Sequence, residues 1–195
     1  MKTRSIKFLT YLIMFFLFIG LEACSKKPEE EKLPSKFITP KRQSRTSNPV
    51  STLVNWIDFN EASEKAKKDK KAIFINFYAV WCGYCRKMDQ EVFADQEVAK
   101  KLKNNFYSVK INTGIGDDVI NYKNHKISSQ GFAMMMGARG LPTSIFLDHK
   151  GEIITTLPGY LSKDNFLPIL DYVNDKCYSK NISLDQYLSG KTKCN

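Results

Sequence analysis

Seven consecutive residues, Ala72-Ile73-Phe74-Ile75-Asn76-Phe77-Tyr78, are apolar or aromatic at every position but one, the pattern of a strand covered on both faces. Ahead of it, residues 58–70 carry small and charged side chains behind Asp58 or Asn60, which suits an exposed helix capped by either. Residues 83–90 suit a helix, and residues 95–102 a second, short one opening on Asp95. Residues 106–112 read as a second strand. Residues 144–148 read as a third, which turns at His149-Lys150-Gly151 into residues 152–156 as a hairpin. Residues 165–172 follow Ser162, with Phe166, Leu167, Ile169, Leu170 and Val173 at helical spacing; they predict a closing amphipathic helix with Pro168 in its first turns. Between the second and third strands, residues 113–130 contain Gly114, Gly116 and Asp117-Asp118 and read as a loop before a helix from about Ser128. Strands alternating with helices in this order predict an α/β domain, a mixed central sheet flanked by helices on both faces.

The two ends have a different pattern. Lys2, Arg4 and Lys7 precede an apolar run from Phe8 to Leu21, too short for a comfortable membrane span and shaped like a secretory signal. Such a signal implies export to a compartment where disulfides persist. The segment Leu21-Glu22-Ala23-Cys24 resembles a bacterial lipobox in all but Glu22, which implies a lipid-bearing Cys24 at the mature N-terminus and residence in the cell envelope facing the periplasm; an ordinary signal peptide or an uncleaved anchor is the alternative. Ser25 in the next position favours the outer membrane over the inner one. Residues 24–54 are polar, with Pro28, Pro34, Pro40 and Pro49 and the charge run Glu29-Glu30-Glu31-Lys32. They read as a flexible stalk, because such a segment buries too little apolar surface to offset the entropy of ordering it. The expected order is therefore signal 1–23, stalk 24–54, one folded domain over 55–176, and a polar tail over 177–195.

Composition narrows the class. A chain of 195 residues with 43% hydrophobic and 26% charged residues holds one domain plus an appendage, neither wholly disordered nor a multi-span membrane protein. The net charge is +10, and loss of residues 1–23 removes three bases and one acid, so the body stays basic. The basic residues are scattered and the chain carries an export signal, which argues against nucleic acid as a partner.

Five cysteines are an odd number for an exported protein. Lipidation of Cys24 leaves four, which fall into Cys82 with Cys85 and Cys177 with Cys194. The motif Trp81-Cys82-Gly83-Tyr84-Cys85 follows the buried strand and opens a helix. Two intervening residues let the sulfurs meet across one turn, and the helix N-terminus stabilises a thiolate. Such motifs bring a thiol from near ~8.5 to roughly 3.5–7.5, which makes Cys82 the nucleophile and Cys85 the resolving residue. A plain structural disulfide is the competing reading. A zinc site fits poorly, since Cys177 and Cys194 lie 17 apart without a nearby histidine. For that second pair a structural clip is the default, and a second redox couple exchanging with Cys82 the sharper alternative. His125 reads as solvent-facing, and Met134-Met135-Met136 as helix packing.

The stretch Phe77-Tyr78-Ala79-Val80-Trp81-Cys82-Gly83-Tyr84-Cys85-Arg86-Lys87-Met88 resembles the active-site segment of the thioredoxin superfamily. Gly140-Leu141-Pro142-Thr143 ahead of a strand is similar to that family's cis-proline loop, and Pro158-Gly159-Tyr160 to exported thioredoxin-related proteins. The likeness covers residues 55–176 and implies a thioredoxin fold with thiol-disulfide exchange by Cys82 and Cys85. It also implies a cis Pro142 and a substrate-facing surface from Trp81, Gly83, Tyr84, Leu141, Pro142 and Thr143. No cofactor and no metal are implied. The implied partners are exported proteins bearing disulfides or dithiols, a membrane or periplasmic electron donor, and the membrane itself through the lipid anchor. One position departs from the family: Asn76 stands where thioredoxins carry a buried acid that moves the proton of the resolving cysteine, leaving water or another group, Lys110 or Glu91, as candidate substitutes. The Gly83-Tyr84 dipeptide lacks the histidine of strong oxidants and leans towards a reductant or a moderate-potential exchanger.

Overall fold

A computed structural model describes residues 53–115 and 118–194. The signal (1–23), Cys24 and all of the stalk but its last two residues lie outside them. Five strands form the central sheet: β1 (Trp56–Ile57), β2 (Ala72–Tyr78), β3 (Phe106–Asn112), β6 (Thr143–Leu147) and β7 (Ile153–Pro158). Their order is β1-β3-β2-β6-β7; β1, β3 and β2 run parallel, and β6 and β7 are antiparallel additions. The parallel strands all end at one edge of the sheet, which the loop after β2 occupies.

Alternation along the strands divides the core into two layers. On one face Phe74, Phe106 and Phe146 meet α2 (Gly83–Met88), α3 (Gln96–Asn105) and α5 (Lys163–Asn174) through Met88, Leu102, Phe166 and Ile169. On the other, Ile73, Ile75, Phe77, Val109 and Ile145 meet α1 (Phe59–Asp69) and α4 (Ser129–Met135) through Ala62, Ala66 and Phe132. The mixed sheet flanked by helices expected from the sequence is the fold observed. Strands β2 and β3 span the predicted residues, and Asp58, Asp95, Ser128 and Ser162 each cap a helix with a side-chain oxygen.

Three elements differ from the sequence reading. The two-residue β1 is too short to leave a periodic signal, yet it pairs with Ser108 and Val109 of β3. The loop expected over 113–130 contains a hairpin, β4 (Val119–Tyr122) and β5 (His125–Ser128). Lys123 and Asn124 turn it with positive φ values of 48° and 68°, a conformation that Lys-Asn does not advertise as Asn-Gly would. The helix over 83–90 continues past Met88 into a π-helical turn, Asp89–Phe93, whose widened spacing lets Met88, Val92 and Phe93 all face the core.

Asp95 joins two helices. Its carboxylate accepts the Glu97 and Val98 N–H groups at 2.9 and 3.1 Å, and Lys163 at the head of α5 donates to it at 2.8 Å. The Lys163 hydrogen bond, helped by those two N–H groups, holds the Asp95 carboxyl below its ordinary value. A depressed folded value means the stabilisation is complete above the unfolded carboxylate value and drains away as acid protonates the group. Asp95→Ala is expected to cost about 1 kcal/mol near neutral pH. Urea melts across pH should show the gap to wild type closing below about pH 4. A gap unchanged in acid would mean that the ionised cap does not stabilise the fold.

The tail is folded. A 3-10 turn (Cys177–Lys180) and α6 (Leu184–Leu188) return along α5, where Tyr172 stacks near Tyr187 at 5.5 Å and its hydroxyl donates to the Ile182 carbonyl at 2.8 Å. Cys177, fully buried, forms a disulfide with Cys194 across 17 residues. Cys177 follows the end of α5, where Val173 and Lys176 sit with Ala72 and Asn105 at the start of the parallel strands. That is the opposite edge of the sheet from Cys82, so the fold offers no direct exchange between the two pairs. Replacing Cys177 and Cys194 together by alanine is expected to remove about 3 kcal/mol in the chain-entropy account. Scanning calorimetry should show the midpoint falling by on the order of 10 °C; a shift of a degree or two would mean that the aromatic packing alone holds the tail.

Candidate active site

Strand β2 is buried from Ile73 to Phe77 and then, past the half-buried Tyr78, releases Ala79-Val80-Trp81 as a short loop, from which α2 starts at Gly83. Cys82 is the N-cap of α2, and its Sγ accepts the Cys85 N–H at 3.1 Å. Cys82 and Cys85 are joined in a disulfide with their Cα atoms 5.2 Å apart. Cys82 is 6% exposed and Cys85 3%, within a small cluster completed by Ala79, Tyr78 and Leu141. The sulfur that accepts helix N–H groups is the one in which negative charge is best stabilised once the bond is reduced. Arg86, one turn along, donates to the Val80 carbonyl at 3.0 Å and so braces the loop.

The residues flanking the pair are unusually open. Trp81 is 71% exposed, so it does not fill the core, and Tyr84 is exposed beside Tyr160, with ring centroids 6.5 Å apart. The indole lies against Gly114, where a Cβ would come within 3.3 Å of Nε1, 3.2 Å of the Ala79 Cβ and 3.2 Å of the Asn112 Oδ1; a side chain there would require these neighbours to give by a few tenths of an ångström. Gly83 opens the helix with no close neighbour. The Leu141–Pro142 peptide is cis, and the Pro142 carbonyl accepts the Gly159 N–H at 2.8 Å. Leu141 packs on the cysteine cluster, and its main-chain N–H and C=O have no partner among the described residues. Thr143, expected among the substrate-facing residues, is instead fully buried: its hydroxyl donates to the Gly140 carbonyl at 2.7 Å and shapes the loop from behind.

Polar residues also stand on the sheet near the end of β2, and the sequence only partly announced them. Asn76 is buried on the face of β2 that meets α2, and its amide donates to Ser144 Oγ at 3.4 Å. Neither candidate proton carrier is free. Lys110, opposite Asn76 in register, is paired with Asp89 and lies 4.6 Å from the Tyr78 ring centroid. Glu91 accepts the Tyr160 hydroxyl at 2.6 Å, a bond that raises the Tyr160 pKa above its ordinary value. Asp89, four residues after Cys85 on the same helical face, was missed from sequence; that spacing was the available signal. Met136 packs in the core as expected, whereas Met134 and Met135 are exposed. His125 is exposed on β5. Among the described residues no cluster of three histidine, cysteine or acidic side chains could hold a metal, and no helix is long and apolar enough to cross a membrane.

Residues 59–174, more than half of the chain and containing the cysteine pair and the cis proline, match the family described as thioredoxin-like domain. The chain belongs to that family. A thioredoxin-fold protein from Helicobacter pylori superposes on this thioredoxin-like domain with a TM-score of 0.54 and 24% identity over 63% of this chain and 80% of that one. A thioredoxin from Thermus thermophilus does so with a TM-score of 0.51 and 23% identity over 62% and 86%. At these identities the likeness is one of fold. Among curated proteins, the thiol:disulfide interchange protein DsbD of Photorhabdus laumondii is 24% identical over 133 residues, which are 66% of this chain but 20% of that protein. The chloroplastic thioredoxin-like protein CITRX of Arabidopsis thaliana is 35% identical over 96 residues, 49% of this chain and 44% of that one. The chain thus spans about a fifth of the length of its DsbD relative, and under half of CITRX.

Proposed function

We propose that this thioredoxin-like domain is a thiol-disulfide oxidoreductase acting on exported proteins, with Cys82 as nucleophile and Cys85 as resolving residue. The single observation that carries the reading is the Cys82–Cys85 disulfide at the head of α2, beside the cis Leu141–Pro142 peptide. In the reducing direction, the Cys82 thiolate attacks one sulfur of a substrate disulfide and the other sulfur leaves as thiolate. Cys85 then attacks the Cys82 sulfur, the substrate leaves as a dithiol, and the pair ends oxidised. With an amide at residue 76 and Lys110 and Glu91 engaged, water is the acceptor for the Cys85 proton.

The basic residues followed by an apolar run over 8–21, with the lipobox-like Leu21-Glu22-Ala23-Cys24, support a location in the bacterial cell envelope, facing the periplasm, with Cys24 lipidated and the outer membrane favoured. The name of the DsbD relative, a thiol:disulfide interchange protein, agrees with the exchange reading. Partners would be exported proteins with disulfides or dithiols, and a membrane or periplasmic donor that re-reduces the pair. A second reading is a binding module with a closed structural disulfide, favoured by the slight exposure of Cys82 and the lack of an ionisable group at Asn76.

Redox titration of the purified chain against glutathione, with insulin reduction in parallel, separates the two. Exchange predicts turnover and a potential above roughly −300 mV. A pair that stays oxidised below that value and leaves insulin intact would establish the binding module.

A further inference from the structure

A groove of about 360 Å³ opens next to the cysteine pair, lined by Trp81, Thr113, Gln130, Met134, Arg139 and Leu141 among others, with no carboxylate in its lining among the described residues. Met134 on α4 is 77% exposed there, and Leu141 is shared with the cysteine cluster. A thioether beside an indole makes an adaptable apolar wall suited to side chains of different shapes. Arg139 is exposed on the loop ahead of Pro142 and has no ion pair or hydrogen bond among the described residues. Across the pair, the cations of α2 are engaged: Arg86 donates to the Val80 carbonyl and Lys87 lies 3.9 Å from Glu91, which also holds the Tyr160 hydroxyl. The groove beside Cys82 is therefore apolar, with one guanidinium that has no counter-charge among the described residues.

Resting on the exchange reading above, we infer that Arg139 selects the substrate: an extended polypeptide segment that places an apolar side chain in the groove and an Asp or Glu carboxylate against the guanidinium. The unpartnered main-chain N–H and C=O of Leu141 fit an extended chain, and a guanidinium can hold a carboxylate through two parallel hydrogen bonds. A lysine at the same place would meet Arg139 as a like charge and be disfavoured. The acidic residue confers preference and takes no part in the sulfur chemistry, so Arg139 is a specificity-determining residue rather than a catalytic one.

The test uses short cysteine peptides carried as pyridyl disulfides. They share a leucine beside the cysteine and differ by Glu, Gln or Lys placed in turn at each of the three positions on either side. Reduced protein attacks the peptide sulfur through Cys82, the peptide–pyridyl S–S bond breaks, and pyridine-2-thione leaves and is read by its absorbance. Cys85 then displaces the peptide as a free thiol, and the two thiols of the pair supply the two electrons. Each rate is divided by that of the same protein with uncharged dipyridyl disulfide.

At one position the Glu peptide should react about threefold to fivefold faster than the Gln peptide, the scale of a solvent-exposed ion pair, and more than that over Lys. Arg139→Gln should level the series, and Arg139→Glu should reverse it. Equal normalised rates at every position, or a preference that Arg139→Gln leaves intact, would overturn the assignment. No reaction of the wild type with dipyridyl disulfide would remove the exchange reading, and this inference with it.

Discussion

Cys82→Ser is expected to lose insulin reduction by roughly a thousandfold or more, the scale at which removing a nucleophile acts. Serine fits the N-cap position, since its oxygen can accept the Cys85 N–H as the sulfur does, so the fold should survive and the loss should be chemical. Cys85→Ala is the complementary case. It leaves Cys82 able to attack but removes the group that resolves the mixed disulfide, so covalent adducts should accumulate and appear on non-reducing gels. Identifying those adducts would give the physiological partners directly. Residual turnover in Cys82→Ser near the wild-type rate, or a Cys85→Ala protein that traps nothing, would contradict the assigned roles.

Phe74→Ala should have the largest effect on stability. The Phe74 ring is fully buried, with the rings of Trp56, Phe93, Phe146 and Phe166 at centroid distances of 6.0, 5.8, 5.1 and 5.4 Å. One side chain thus touches β1, the π-helical turn, β6 and α5. Deleting it removes the transfer free energy and leaves a cavity that four rings cannot easily close, a loss of about 3–5 kcal/mol. Against a total of roughly 5–15 kcal/mol for a domain, that approaches global unfolding. The urea midpoint should fall by about 2 M, while Phe74→Leu should lose far less. A loss under about 1 kcal/mol for the alanine variant would mean the cluster is loosely packed.

What could be read from the sequence depended on how locally each feature is encoded. The β2 run, the helix caps and the Cys82–Cys85 spacing are contiguous, and each carries its own pattern. Strand β1 is two residues of borrowed pairing from β3, so its signal lies in its partner. The β4–β5 hairpin turns on Lys123 and Asn124, and its buried content is mainly Ile120, with Tyr122 and Ile127 half-covered; that is too little to rise above a polar stretch. The site followed the same rule. Cys82, Cys85 and the cis Pro142 lie in motifs, whereas the Lys110–Asp89 pair and the Arg139 groove are assembled from residues far apart along the chain. Thr143 belonged to a motif and was misplaced for that reason, since membership said nothing about which way its hydroxyl turned.

Strand polarity has a mechanical consequence. Residues 53–55 lead into β1, which runs in register with the early part of β3, so the chain enters the domain at the edge from which β2 also sets out. Strand β2 then carries the chain seven residues, about 23 Å, before delivering it to Cys82. A load attached on the N-terminal side therefore pulls at one pole of the domain while Cys82 stands at the other. The sheet between them keeps the point where the described chain begins apart from Cys82.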